Sequence, residues 1–252
     1  VAAARLGLKS VLRAYVGADQ NGQECLASLI QDGVDTTFVE RQDGKKTNYH
    51  YVLWFQDDRT ILIKHEDFDY ELPDIGEPKW IYISSAGENS LPFHQTLVEY
   101  FAAHPAVKLA FQPGTFQIKF GAAALAGIYR RADAFFCNRD EAKRILQTTE
   151  DGMRKLLTMM HGLGPKIVTI TDGVKGAYAS DGEQAWYMRP YPDPKPPLSR
   201  TGAGDAFSST FTVALALGKS VPEALRLAPI NSMSVVQQVG ARAGLLTWSQ
   251  LE

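Results

Sequence analysis

The chain has 252 residues, 45% of them hydrophobic, and a formal net charge of −2. That is enough apolar material for one large α/β core with a small appendage, and its scattered, near-neutral charge excludes a nucleic-acid or acidic-membrane surface as the main partner. Two distant cysteines, Cys25 and Cys137, exclude a disulfide framework or thiolate metal site and point to the reducing cytoplasm; no apolar run reaches the ~18 residues of a membrane span, and the histidines lack metal-ligand spacing.

Residues 1–6 (VAAARL) read as an uncapped helix that Gly7 ends, so the pattern predicts that an N-terminal strand and the first half of this helix lie upstream. A strand over 10–16, a turn at 17–22 (GADQNG) and a helix to residue 31 follow. From Thr36 to His65 the chain is strand-rich, with strands at 37–40, 46–55 and 60–65 and a polar turn at 56–59. This piece is too small for its own core. It is expected to be a small β lid over the active site (residues 36–65), set on a main α/β domain of residues 1–35 and 66–252; the alternative is an excursion at one sheet edge.

Farther along, strands at 79–84, 107–112, 134–137 and 166–171 alternate with helices at 91–103, 118–130, 139–146 and 151–163. That order predicts a three-layer α/β sandwich, a mainly parallel central sheet flanked by helices. Strands at 176–180 and 184–189 form a hairpin turning at Asp181-Gly182. The segment RPYPDPKPP (189–197) is extended, and helices at 202–217 and 221–239 close the chain.

The run Thr201-Gly202-Ala203-Gly204-Asp205 carries the chemistry. Its small residues leave backbone N–H groups uncovered at the start of an apolar helix, where the helix dipole favours an anion. Asp205, in the first turn, can take a proton from a hydroxyl while the amides hold charge on a transferred phosphoryl group. A tight turn with a first-turn acid would look the same. Asn138 and Glu141 open the helix after the strand at 134–137 as an N-cap and its partner; at the carboxyl end of a parallel strand they can also orient a hydrated magnesium ion. Thr171, Gly173 and Gly176 leave the next strand and permit close approach of a ligand. Asn231 is a polar residue beside a core face that either contacts a base or is solvated. A Walker A reading of Gly218-Lys219-Ser220 fails because Val213 stands where its first glycine belongs, and no GxGxxG occurs.

On these residues the whole chain resembles the ribokinase-like, or PfkB, family of sugar and nucleoside kinases. Thr201 to Asp205 looks like its second motif, Asn138 to Glu141 like its NxxE, Thr171 to Gly176 like its nucleotide loop, Gly17-x-Asp19-x-x-Gly22 like its turn after the first crossover, and residues 36–65 stand where its lid stands. The resemblance implies a ribokinase-like fold and ATP- and Mg2+-dependent phosphorylation of a sugar or nucleoside hydroxyl. It makes Asp205 the base, Gly202, Ala203 and Gly204 the anion hole, Asn138 and Glu141 the residues acting on magnesium through water, and Thr171, Gly173, Gly176, Thr201 and Asn231 the nucleotide contacts. Ser199 stands where relatives carry an aspartate that helps hold a monovalent cation, so potassium dependence is expected to be weak. Gln112-Pro113-Gly114 replaces the Asp-Pro-Asn of many sugar kinases. The family's substrate-binding Asp and its first glycine- and asparagine-bearing motif fall upstream of Val1. Apolar residues on both faces of the lid strands (Tyr51, Val52, Leu53, Trp54, Leu62 and Ile63 among them) are expected to pair with a second subunit in a homodimer. The alternatives are a non-catalytic nucleotide- or sugar-binding regulator and a vitamin-precursor kinase, the latter disfavoured by the lid.

Overall fold

Apolar residues recur every three or four positions along the helices, and the central strands are near-continuous buried runs, the pattern of a parallel sheet covered on both faces. The structure, a computed structural model, describes residues 1–55 and 58–252, without the side chains at 54, 55, 58, 59, 61 and 63. It begins with α1 (Ala2–Arg5), β1 (Ala14–Gly17) and α2 (Gln20–Gln31). Asp19 caps α2: its carboxylate accepts from the Gly22 N–H at 3.0 Å and from Thr47 Oγ1 at 2.6 Å. Hydrogen bonds from Thr47 first, then Gly22, hold that carboxyl down at about 2, so it stays an ionised cap.

The strand-rich segment is divided. Its first strand, β2 (Val39–Gln42), pairs in parallel with β1, while β3 (Tyr49–Phe55) and β4 (Asp58–Lys64) form an antiparallel hairpin. The turn expected at 56–59 falls partly outside the described residues.

Next come β5 (Trp80–Ile83), α3 (Leu91–Ala103), β6 (Lys108–Phe111), α4 (Thr115–Phe120), α5 (Ala126–Arg131), β7 (Ala134–Asn138), α6 (Arg139–Leu146), α7 (Met153–His161), β8 (Ile167–Thr171), β9 (Ala177–Ser180), β10 (Ala185–Met188), α8 (Ala203–Ala216), α9 (Val221–Val236) and α10 (Trp248–Leu251). The single helix expected over 118–130 is two, because Gly121 sits at φ +85°, a conformation that ends a helix and that glycine adopts at least cost. The central sheet has six strands in the order β10-β9-β8-β7-β6-β5. Its β5, β6, β7 and β8 run parallel, and β9 and β10 are antiparallel.

Side-chain size sorts the two faces of this sheet. Leu109, Phe111, Phe135, Val168 and Ile170 pack against Leu97, Phe101, Ile128, Ile145, Leu156 and Met160 of α3, α5, α6 and α7. On the opposite face the inner strands carry Ala110, Ala134, Phe136, Ala177 and Ala179, with the larger Trp80, Tyr82, Trp186 and Met188 toward the sheet edges, so Phe207, Phe211 and Leu225 of α8 and α9 pack over its middle. This is the α/β sandwich expected. Truncating Phe111 or Phe211, both fully buried, costs about 3–5 kcal/mol. The parallel strands all deliver their carboxyl ends to one edge, where open α/β sheets leave a crevice.

Candidate active site

Two helices start at that edge. Asn138, the last residue of β7, is the N-cap of α6; its Oδ1 accepts from the Glu141 N–H at 2.8 Å, and Glu141 Oε2 accepts from the Asn138 N–H at 2.8 Å. The Asn138 and Glu141 N–H groups are thereby satisfied, whereas those of Arg139 and Asp140 find no acceptor among the described residues. The Arg139 side chain reaches sideways, its Nη1 3.2 Å from Asp172 Oδ2 and its Nη2 donating to the Asp151 carbonyl at 2.8 Å. The start of α6 is thereby tied to the turn that leaves β8 through Gly173–Lys175.

The start of α8 is built the opposite way. Its N-cap, Gly202, is left-handed at φ +84° and offers no side chain to the helix. A Cβ there would lie 2.6 Å from that of Ala241, so glycine is required twice over. The N–H groups of Gly204 and Asp205 find no acceptor among the described residues. A Cβ on Gly204 would meet nothing within 4 Å, which leaves the helix's positive end bare. Thr201 adds a buried Oγ1 without a partner. Ser199 Oγ accepts from the Thr201 N–H at 3.2 Å and shapes the approach. Asp205 is exposed, and its Oδ1 accepts from Gln112 Nε2 at 3.0 Å.

A cavity of about 700 Å³ lies between these two helix starts. Asn138, Thr171, Gly173, Gly176, Ala203 and Gly204 line it together. Glu141 is bonded to Asn138, and Thr201, Gly202 and Asp205 are chain neighbours of the lining pair Ala203 and Gly204. Arg139, Lys175, Arg189 and Arg200 also line it, against Asp140, Asp172 and Asp193. In the sequence nothing marks Arg189; Arg139 and Lys175 are legible only as parts of the Asn138–Glu141 and Thr171–Gly176 stretches, and Arg200 only as the neighbour of Ser199. Asn231 requires a correction. It is 0% exposed, its Nδ2 donates to Thr210 Oγ1 at 2.8 Å, and its Oδ1 accepts from the Leu246 N–H at 2.9 Å. Both ends of the amide are consumed inside the protein, and Ser232 and Met233 of the same helix line the cavity instead.

The profile of the pfkB family of carbohydrate kinases matches residues 1–248. The chain belongs to that family. Its chemistry is phosphoryl transfer to a hydroxyl group. The chain is 26% identical to an uncharacterized sugar kinase of Archaeoglobus fulgidus over 96% of each protein. It is 25% identical to the 5-dehydro-2-deoxygluconokinase of Bacillus subtilis, covering 100% of this chain and 82% of that one. Among solved structures, an E. coli protein described as a ribokinase II, in complex with ATP and Mg2+, superposes with a TM-score of 0.82 at 18% identity over 99% of this chain and 84% of the other. At that identity the likeness establishes the ribokinase fold. The described helices include none long and apolar enough to cross a membrane.

Proposed function

We propose that this pfkB-family protein is an ATP-dependent, magnesium-requiring kinase that moves the γ-phosphoryl group to a hydroxyl of a sugar or nucleoside, with Asp205 as the base. The observation that carries the reading is the uncapped start of α8: two free amides, a bare glycine and an orphaned threonine hydroxyl beside an exposed carboxylate. Gly202, Ala203 and Gly204 form the anion hole, and Thr201 contributes its hydroxyl. Thr171, Gly173 and Gly176 run along the nucleotide with the cations of the cavity around them. Asp205 takes the acceptor's proton as the amides receive the transferring charge.

Among the described residues no three His, Cys, Asp or Glu side chains gather to hold a metal ion. That suits magnesium, which keeps most of its waters and leans on one or two side chains and the substrate phosphates. Asn138 and Glu141 already spend one oxygen each on capping, so they would hold the ion's water shell. A magnesium ion held there would supply charge neutralisation to the phosphates. An ATP-consumption screen across sugars and nucleosides tests the reading: turnover on one class supports it, whereas nucleotide binding without turnover on any favours the regulator.

Residues 36–65 act in this reading as a lid and a dimer contact. Tyr51, Leu53 and Leu62 of the hairpin are 62%, 55% and 52% exposed. Phe68 and Tyr70, which could have covered them, pack instead on Tyr15 and Phe93. Sedimentation should give a dimer that Leu53→Asp with Leu62→Asp converts to monomer; a monomeric wild type ends the proposal. Trp54 and Ile63, also expected in this contact, have side chains outside the described residues. The unpaired cysteines support a cytoplasmic setting.

A further inference from the structure

The residue facing Asp205 comes from a different part of the chain. Gln112 directly follows β6, and its backbone N–H continues the ladder by donating to the Ile83 carbonyl at 2.9 Å. Its side chain crosses to α8, where Nε2 lies 3.0 Å from Asp205 Oδ1. The far end of the amide is held just as firmly. Oε1 accepts from the hydroxyls of Tyr82, on β5, and Ser208, one turn into α8. Those hydroxyls are themselves 2.8 Å apart, and Ser208 is 1% exposed.

This arrangement has one chemical orientation. An ionised carboxylate only accepts, so the amide must present its NH₂ to Asp205 and its carbonyl to the two hydroxyls. Tyr82 can serve there because burial, with the charge of Asp205 adding to it, pushes its phenol well above its ordinary value and keeps it a donor. An acidic residue at 112 would instead set two carboxylates against each other.

We infer that Gln112, locked by Tyr82 and Ser208, is a positioning residue that aims the Asp205 carboxylate at the acceptor hydroxyl. The inference rests on the reading of Asp205 as the base. Gln112 touches no reacting atom in it; it narrows the orientations of the group that does, and misplacement of a reacting group by ~1 Å costs up to about 10²-fold in rate.

The test is steady-state kinetics of the purified protein with the acceptor found in the screen. Gln112→Met keeps length and volume and removes both polar ends, leaving Tyr82 and Ser208 to bond each other. Its kcat should fall about tenfold while KM for ATP moves by less than about twofold. Gln112→Glu should lose more than Gln112→Met, because it adds a like charge. Tyr82→Phe, which removes one of the two hydroxyls holding that end of the amide, should lose less. In an Asp205→Asn background, Gln112→Met should cause no further loss, since there is no base left to aim. A Gln112→Met enzyme with wild-type kcat beside an inactive Asp205→Asn enzyme overturns this inference alone. So does an equal loss in both backgrounds, the mark of a merely structural side chain. An active Asp205→Asn enzyme overturns the assignment of the base, and this inference with it.

Discussion

The helices α6 and α8 begin at the same edge of the sheet and each leaves two first-turn amides without an acceptor among the described residues, but only α6 carries a side-chain cap. At α6 the side chains of Asn138 and Glu141 satisfy the backbone reciprocally. At α8 a glycine in left-handed conformation provides no cap, and the amides of Gly204 and Asp205 are left without protein partners. A helix start with glycine in place of a capping side chain forgoes roughly a few tenths of a kcal/mol. The cavity beside it is lined by four cations and three aspartates, and in the proposed reading a ligand there supplies the missing acceptors. In the proposed reading the uncapped turn takes the anion and the capped one holds the frame.

The largest effect that sharpens this contrast belongs to Asp205. Asp205→Asn should lower kcat by about 10² to 10⁴ while nucleotide binding, followed by calorimetry, persists, because the amides remain. Two glycines come next and should separate from each other. Gly204→Ala puts a methyl into open space, so KM for ATP should rise about tenfold, the loss of one good contact, with an unchanged melting curve. Gly202→Ala must hold alanine at φ +84° against Ala241, so it should cost at least about 1 kcal/mol in denaturant unfolding. If both variants instead lost only stability, α8 would be an ordinary helix start and the contrast would collapse.

At α6 the prediction is mainly one of stability. Asn138→Ala should lower unfolding free energy by about 1 kcal/mol, and Asn138→Asp, which keeps the cap, should restore it; a variant as stable as wild type would break the comparison from the other side. The smallest effect concerns cations. The Oγ of buried Ser199 is occupied by the Thr201 amide, and as a neutral oxygen it is a weaker cation ligand than a carboxylate. Exchanging sodium for potassium at constant ionic strength should therefore change the rate little, and a several-fold rise would show that the approach to α8 holds a monovalent ion after all.

By itself the sequence determined whatever depends on neighbours along the chain. Alternating strands and helices specified the layered α/β core, the Asn138 and Glu141 spacing specified a reciprocal cap, and the small residues from Gly202 to Gly204 specified an exposed set of amides, because each is a property of a few consecutive residues. Tertiary structure decided what depends on approach between distant segments. Asn231 lies on the helix that lines the cavity, yet only packing shows that it turns inward to Thr210 and Leu246. The strand at Val39–Gln42 joins β1 and leaves the hairpin to β3 and β4, a choice between pairing partners that no local pattern ranks. Ala241 closing over Gly202, and Gln112 meeting Asp205 across 93 residues, follow from where the chain returns; hydrogen bonds and steric contacts act over a few ångströms of space, and separation along the sequence does not report that distance.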